Sequence, residues 1–312
     1  MRLAYSILFI LLHCVSSLNA QTNRALVVGI SKYPDGSGWD KTHAQNDLRL
    51  ICPLLIENGY SEENIIVLAD EQATKTAIIW SLKYLSTQSE AGDYIYIHFS
   101  CHGQQMYDDN SDEEDGLDEA IIPYDAKKYY QKGIYEGEKH LRDDELGEWL
   151  EKIRRKITNQ GNVIVLIDAC HSGTVMHCIK SFSFLEEYFE GLPPRKAFGP
   201  NRYVRSGLDE SKLKLSVNKD SLLAPIHGFT ACEASEVNFL VELFPDKYYG
   251  LLSYAFCEQV RGSSNKSLSN IDFFKQLRYY IENFLRKRKW LQTPTFESSH
   301  EDKEFRIARP MQ

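Results

Sequence analysis

The chain has 312 residues, 43% hydrophobic and 26% charged, a globular composition with apolar material for one large domain or two small ones. Its formal net charge is −8 and its basic residues form no long block, which excludes a nucleic-acid binder. An acidic protein of this kind attracts basic partners if it attracts charged ones at all.

Arg2 precedes the apolar run Tyr5 to Leu12, and Val15-Ser16-Ser17-Leu18-Asn19-Ala20 follows, the order of a secretory signal peptide cleaved after Ala20. The run is too short for a membrane span, so the expectation is a secreted or periplasmic protein with no membrane attachment after removal of residues 1–20. A buried N-terminal helix is the competing reading. Leu-Leu-His-Cys lacks the small residue expected before a lipidated Cys14. Without Cys14 six cysteines remain: Cys52, Cys101, Cys170, Cys178, Cys232 and Cys257. Their spacing shows neither a disulfide framework nor a CxxC metal pair, which leaves at least one for chemistry.

The domain, residues 21–312, opens on Arg24 to Ile30, a short β-branched run that reads as a strand buried on both faces. A Pro/Gly/Ser loop covers Pro34 to Gly38. Asn46 to Asn58 reads as a helix stopped by Asn58-Gly59, Ile65 to Leu68 as the second strand, and Thr74 to Gln88 as the second helix. Asp93 to Ser100 is a third strand. A helix at Asp143 to Lys156 leads to a fourth strand, Val163 to Asp168. Phe229 to Cys232 makes a weaker fifth, and helices follow around Ser253 to Val260 and Ile271 to Arg286. Strands alternating with helices predict an α/β fold with a mostly parallel central sheet covered on both faces.

Sites in such folds gather at the carboxyl ends of strands. Here the third strand ends in Phe99-Ser100-Cys101-His102-Gly103 and the fourth in Asp168-Ala169-Cys170-His171-Ser172-Gly173. A thiol and an imidazole on one edge suit nucleophilic attack on a carbonyl, the imidazole managing protons for the thiol and the leaving amine. Gly103 lets the chain turn beside the substrate, and the backbone amides of Gly103 and Cys170 are candidates to hold an oxyanion. Alone, the cysteine reads as a small core residue and the histidine as a satisfied polar group. Together, flanked by glycine and small residues, they point to catalysis.

HFSCHGQQ (His98 to Gln105) and DACHSG (Asp168 to Gly173) resemble the histidine and cysteine motifs of caspase-like cysteine peptidases, within them the metacaspase and paracaspase branch. True caspases carry a QAC-type motif at the nucleophile. The resemblance runs from about Arg24 to Phe296 and includes YYGLLSYAFCEQV and LQTPTFE, which look like bacterial members. It implies a caspase-like fold (the caspase–hemoglobinase architecture), His102 as the proton-transfer residue and Cys170 as the nucleophile of a Cys-His dyad. His171 is not the base in this family, and neighbouring residues at a strand end point apart.

The same resemblance places Asp168, with Asp47 and Ser100, in the pocket that accepts arginine or lysine before the scissile bond. A carboxylate there pairs with a guanidinium or ammonium and offers nothing to an acidic side chain. For Asp168 the competing reading is a cap bonded to nearby amides, and for Asp47 a helix N-terminal acid favoured by the dipole. The expected partners are peptide or protein substrates, and nothing marks an oligomer interface, so a monomer is expected.

The acidic stretch Asp108 to Ala120 does not meet EF-hand spacing. The resemblance nonetheless puts Asp118, Asp143 and Asp144 on calcium-ligating positions, with His177 at a fourth where aspartate is usual. Histidine is a poor ligand for a hard cation. The chemistry requires no cofactor; calcium stands as a candidate activator, and a solvated acidic loop as its alternative.

Between nucleophile and fifth strand, residues 180–225 read as a mobile or processing loop, with Lys180, Arg195, Lys196, Arg202 and Arg205 as self-cleavage points, against an ordinary exposed loop. Other functions in view are a clostripain- or gingipain-like peptidase, a legumain-like one, and a catalytically silent caspase-fold binding module. Asp168 weighs against legumain's asparagine preference. Cys101, beside His102, is a candidate to silence Cys170 through a disulfide.

Overall fold

A computed structural model describes residues 21–107, 117–169, 220–233, 238, 240–263, 267–286 and 292–309. In chain order its larger elements are β1 (Asn23–Gly29), α1 (Ala44–Glu57), β2 (Ile65–Ala69), α2 (Lys75–Gln88) and β3 (Tyr94–Ser100). Then come β4 (Gly103–Tyr107), β5 (Leu117–Ile121), β6 (Leu141–Arg142), α3 (Asp143–Ile157) and β7 (Asn162–Asp168). The rest are β8 (Ile226–Thr230), β9 (Leu240–Phe244), β10 (Lys247–Gly250), α4 (Leu251–Ser263), α5 (Asn270–Arg286) and β11 (Thr295–Ser298).

Strand β1 shows why its apolar run has no polar face. Side chains alternate across a sheet, so Leu26 and Val28 enter one core while Ala25 and Val27 enter another. The first core is closed by Ile78, Leu82 and Leu85 of α2 and Leu146, Leu150 and Ile153 of α3. The second is closed by Ile51, Leu54 and Leu55 of α1, Phe256 of α4 and Phe273 and Leu277 of α5. Each helix meets the sheet along a three-to-four-residue stripe, which is the spacing the sequence shows. Thr74 accepts the Ala77 amide at 3.2 Å to start α2, and Gly59 at φ 86° stops α1 by letting Tyr60 N reach Leu55 O at 3.0 Å.

The main sheet runs β11-β8-β7-β3-β1-β2, parallel except for β11. The expected α/β fold with a mostly parallel sheet and helices on both faces is therefore the one observed. Because β2 and β3 flank β1 on opposite sides, the chain reverses direction there, and the crevice that such a reversal opens lies at the ends of β1 and β3.

Several elements differ from the sequence reading. The stretch after β3 builds a second, antiparallel sheet β4-β5-β6, and there Asp118 and Glu119 are 1% exposed instead of lying in a solvated loop. Charges inside a strand hide it from any apolar template. The fifth main strand occupies Ile226–Thr230, three residues before the predicted start, because His227 is buried by bonds to Ser298 Oγ (2.8 Å) and Asn162 Oδ1 (3.1 Å). The hairpin β9-β10 and the antiparallel edge β11 were also absent from the reading. Residues 1–20, the nine residues 108–116, Cys170, His171, His177 and residues 180–219 lie outside the described residues; of the expected loop only 220–225 is seen, with Leu223 and Ala224 buried. No helix among the described residues is long and apolar enough to cross a membrane.

The loop between β1 and α1 is pinned from β2. Asp70, at φ 44°, accepts Ser31 N at 2.7 Å, Lys32 N at 2.9 Å and Gln45 Nε2 at 2.7 Å. Asp70→Ala leaves these donors without their acceptor and puts a β-carbon residue with no polar compensation at positive φ, a cost of about 2–4 kcal/mol. Asp70→Asn, which keeps one acceptor and tolerates the left-handed region, should lose less than half as much. Urea unfolding of both variants checks this, and equal losses would contradict it.

Candidate active site

The edge is organised by register. Gly29, Ser100 and Asp168 stand side by side at the ends of β1, β3 and β7. His102 lies two residues beyond Ser100, and Cys170, outside the described residues, two beyond Asp168. The flush ends thus bring both chain exits to one line; Cys101 N reaches Asp168 O across it at 3.4 Å.

His102 sits between β3 and β4, and its Nε2 lies 2.9 Å from the carbonyl oxygen of Asp40. A carbonyl only accepts, so Nε2 carries the hydrogen and Nδ1 is the basic nitrogen. Nδ1 has no hydrogen-bond partner among the described residues. Trp39 stacks on the imidazole, centroids 5.0 Å apart and planes 24° apart, and Tyr33 lies at 5.3 Å. The Tyr33 hydroxyl accepts from His102 N (3.2 Å) and donates to Ile122 O (3.0 Å), so the same loop holds backbone and ring. Burial pushes the imidazole below its ordinary range; the Asp40 carbonyl opposes this, and Lys128, 5.5 Å over the Trp39 ring, adds to it. The ring is thus kept neutral with Nδ1 bare. Gly103 is extended at the first position of β4, buried and opposite Ile121, and has no positive φ.

Asp47, Ser100 and Asp168 come together behind this edge. Ser100 Oγ donates to Asp47 Oδ2 at 2.6 Å, and Gly250 N to Asp47 Oδ1 at 2.9 Å. Asp168 accepts Ser253 N at 2.7 Å and Asn238 Nδ2 at 2.5 Å. Both carboxylates are buried, Asp47 at 0% and Asp168 at 2% exposure. Asp47 is in the first turn of α1, as its competing reading has it, whereas Asp168 accepts an amide from the first turn of α4, far along the chain, and not from neighbours of its own strand. Burial first, then the neighbouring Asp168, raises the Asp47 carboxyl well above the usual range; burial likewise raises Asp168, against the bonds from Ser253 and Asn238.

Asn238, Gly250 and Ser253 are residues that sequence reasoning missed. A β-carbon at Gly250 would overlap the Asp168 carboxylate, so only glycine lets β10 approach it. That glycine opens a helix instead of closing one, which is the signal in YYGLLSYAFCEQV that it serves close approach.

Asp118, Asp143 and Asp144 form a separate cluster in which one oxygen from each lies within 4.8 Å of the others. Asp143 and Asp144 start α3, and Asp118 comes from β5. Oδ1 of Asp118 is buried without a hydrogen-bond partner among the described residues, while Oδ2 pairs with Arg142. Cys101 is buried at 7% exposure; its suggested partner Cys170 is not among the described residues.

A sequence model of the metacaspase peptidase C14 domain matches residues 23–179. The metacaspase-1 of Saccharomyces cerevisiae is 32% identical over 247 residues, 76% of this chain and 49% of that protein. Metacaspase-1B of Neosartorya fischeri is 25% identical over 306 residues, 89% and 69% of the two chains. Metacaspase III c of Phaeodactylum tricornutum is 32% identical over 161 residues, 50% and 44%. The chain spans about a third to a half of the length of several metacaspases it matches. The crystal structure of a Geobacter sulfurreducens protein shares the fold at TM-score 0.54 and 20% identity, covering 89% of this chain and 93% of that one. The chain belongs to the metacaspase family of caspase-like proteins.

The raised carboxylates set a pH dependence. The folded state holds protons that the unfolded chain releases, so the stability they contribute is full below the ordinary carboxylate range and is lost as pH rises toward the folded values. Asp47→Asn removes one charge while its amide oxygen still accepts from Gly250 N and its amide nitrogen donates to Ser100 Oγ. The variant should melt higher than the parent at pH 8, with the gap shrinking by pH 4. A gap that is absent at pH 8 or grows toward pH 4 counts against two buried charges.

Proposed function

We propose that this protein is an exported cysteine endopeptidase that cleaves peptide bonds after arginine or lysine. The observation that carries the reading is the pair of buried carboxylates, Asp47, bonded by Ser100, and Asp168, behind the edge where His102 emerges. A guanidinium or ammonium entering between them brings one positive charge to two negative ones, and an acidic side chain there would only add to the repulsion. Family membership supports the peptidase chemistry, and the order of residues 1–20 supports export.

In this reading Nδ1 of His102 takes the Cys170 thiol proton, and the thiolate attacks the carbonyl carbon of the basic residue. The amides of Gly103 and Cys170 hold the oxyanion. Collapse breaks the C–N bond as the imidazolium gives its proton to the leaving amine, which leaves a thioester. Water, deprotonated by His102, then cleaves the thioester and restores the thiol. The neutral state in which His102 is held suits the first of these steps.

Calcium regulates the enzyme through Asp118, Asp143 and Asp144. Their oxygens fit, because ligands on a calcium ion at about 2.4 Å lie up to about 5 Å from one another. The buried, unpartnered Oδ1 of Asp118 supplies a ready donor, with Arg142 the cation it has to displace.

A panel of peptides differing before the scissile bond tests the main reading. Turnover should be confined to arginyl and lysyl peptides and vanish in Cys170→Ala; Asp168→Ala should abolish the preference. Cleavage after asparagine indicates a legumain-like enzyme, and no cleavage of any peptide a silent binding module. Calcium should raise activity and melting temperature, and Asp118→Ala should remove both responses; identical behaviour in chelator and calcium refutes regulation by this ion.

A further inference from the structure

The candidate edge has two flanks of opposite character. The pocket acids Asp47 and Asp168 lie on the flank walled by α1 and the start of α4. Trp39 and Tyr33, which cover the imidazole of His102, pack instead against the small core under the antiparallel sheet, around Met106, Ile122 and Tyr135. There Lys128, on the connection between β5 and β6, holds its Nζ 5.5 Å over the Trp39 ring and 6.0 Å over the Tyr129 ring. We propose that Lys128 is a specificity-determining residue that takes an acidic side chain two or three positions after the scissile bond, so that the preferred substrate is a peptide with a basic residue before the cut and an acidic one soon after it.

The lysine is held in place and its charge is left uncancelled. Lys128 N donates to Ser37 O at 2.8 Å, and the Tyr129 ring, though 68% exposed, lies so close to Gly38 that a β-carbon there would meet it. Backbone and rings thus tie Lys128 to the loop that orients the imidazole. Two ring faces hold an ammonium by its charge and leave its hydrogens free for an acceptor. Lys128 makes no ion pair among the described residues. On the loop between β1 and α1, Lys32 and Lys41 balance Asp35 and Asp40. Asp125 pairs with Lys139 at 3.5 Å, while Glu136 and Glu138 accept amides of their own turn. Lys127 and Lys128 therefore keep a positive charge beside His102 in a chain of net charge −8.

The course of the substrate follows from the two things the site must do to it. Its basic side chain enters the pocket, and its leaving amine comes to Nδ1 of His102 for a proton. The chain beyond that amine is thereby led off the pocket flank and across the one covered by Trp39. Trp39 stacks 5.0 Å from the imidazole, and the Lys128 ammonium lies 5.5 Å from the Trp39 ring. Two or three extended residues, at about 3.3 Å each, cover that span. An acidic side chain arriving there meets a cation, and a basic one is repelled. The charge is near enough to act on His102 itself, where Lys128 is one of the groups that lower the imidazole.

This inference rests on the endopeptidase reading, and internally quenched peptides with arginine before the cut and aspartate, alanine or lysine at the second and third positions after it test the two apart. The parent should show kcat/KM falling in that order, aspartate about fivefold above lysine at low salt. The ratio should shrink toward one at about 1 M salt, where charges are screened beyond about 3 Å. Lys128→Gln, which keeps the stem on both rings, should bring the aspartate-to-lysine ratio to within about twofold of one, and Lys128→Glu should invert it. Because the readout is a ratio at fixed arginine, any change at His102 common to all peptides cancels. A parent ratio near one with the arginine preference intact, a ratio indifferent to salt, or one that survives Lys128→Gln overturns the inference and leaves the pocket standing. An aspartate preference lost in Lys128→Gln, in an enzyme that cuts arginyl and neutral peptides alike, upholds Lys128 and overturns the pocket. No cleavage of any peptide ends both. The salt series uses the parent alone, so it can refute the inference even if a variant fails to fold.

Discussion

The flush pairing of Ser100 with Asp168 is the constraint from which the candidate site follows. Parallel strands carry their carboxyl ends to one edge, and His102 follows the end of β3 there. A slip of one residue between β3 and β7 would turn Ser100 or Asp168 to the opposite face and remove it from the pocket. Continuous apolar burial on both sides of these strands prevents the slip, since every alternate residue has a different core to satisfy. Packing at Leu26, Val28, Ala25 and Val27 and chemistry at the strand ends are in this sense one specification.

The cost of the arrangement is concentrated in Asp47 and Asp168. Each lies almost wholly out of water, and each raises the difficulty of charging the other. A well-packed apolar pair would be the more stable choice there. The donors aimed at them are short-range and drawn from distant parts of the chain: Ser100 from β3, Gly250 and Ser253 from the β10–α4 junction, Asn238 from before β9. Gln292, near β11, in turn holds Asn238 at 3.0 Å. The C-terminal third of the chain therefore acts as the wall that keeps two carboxylates dry and oriented, which is why a site whose motifs lie before residue 171 needs the later segments.

How much of this was legible in the sequence depended on whether a residue's role is local. Strands β1, β3 and β7 and helices α1, α2 and α3 declare themselves, because apolar period and capping residues are short-range signals. The candidate dyad stood out because reactive residues beside glycine and small residues at two strand ends are rare, whereas the pocket roles of Asp47, Ser100 and Asp168 came from the family resemblance. What was not legible is tertiary. LDEAI hides β5 because its acids are buried by partners no sequence window contains, and IHGFT hides the start of β8 because His227 is satisfied by β11 and β7. Asn238 and Ser253 look like ordinary polar residues until the fold brings them to Asp168.

The base shows how far such dependence extends. His102 is oriented by a carbonyl of Asp40 and by the Trp39 ring, both on the loop between β1 and α1. That loop is irregular, so no ladder of its own fixes it; Thr42 ties it to Ile30 O at 2.6 Å, Lys128 N to Ser37 O at 2.8 Å, and Asp70 to its first two amides. Asp70 stands at the end of β2, an edge strand that contributes no group to the candidate site. A polar contact at the margin of the sheet thus sets the tautomer at its centre, because a neutral imidazole has one hydrogen and the carbonyl that claims it decides which nitrogen is left to act as base.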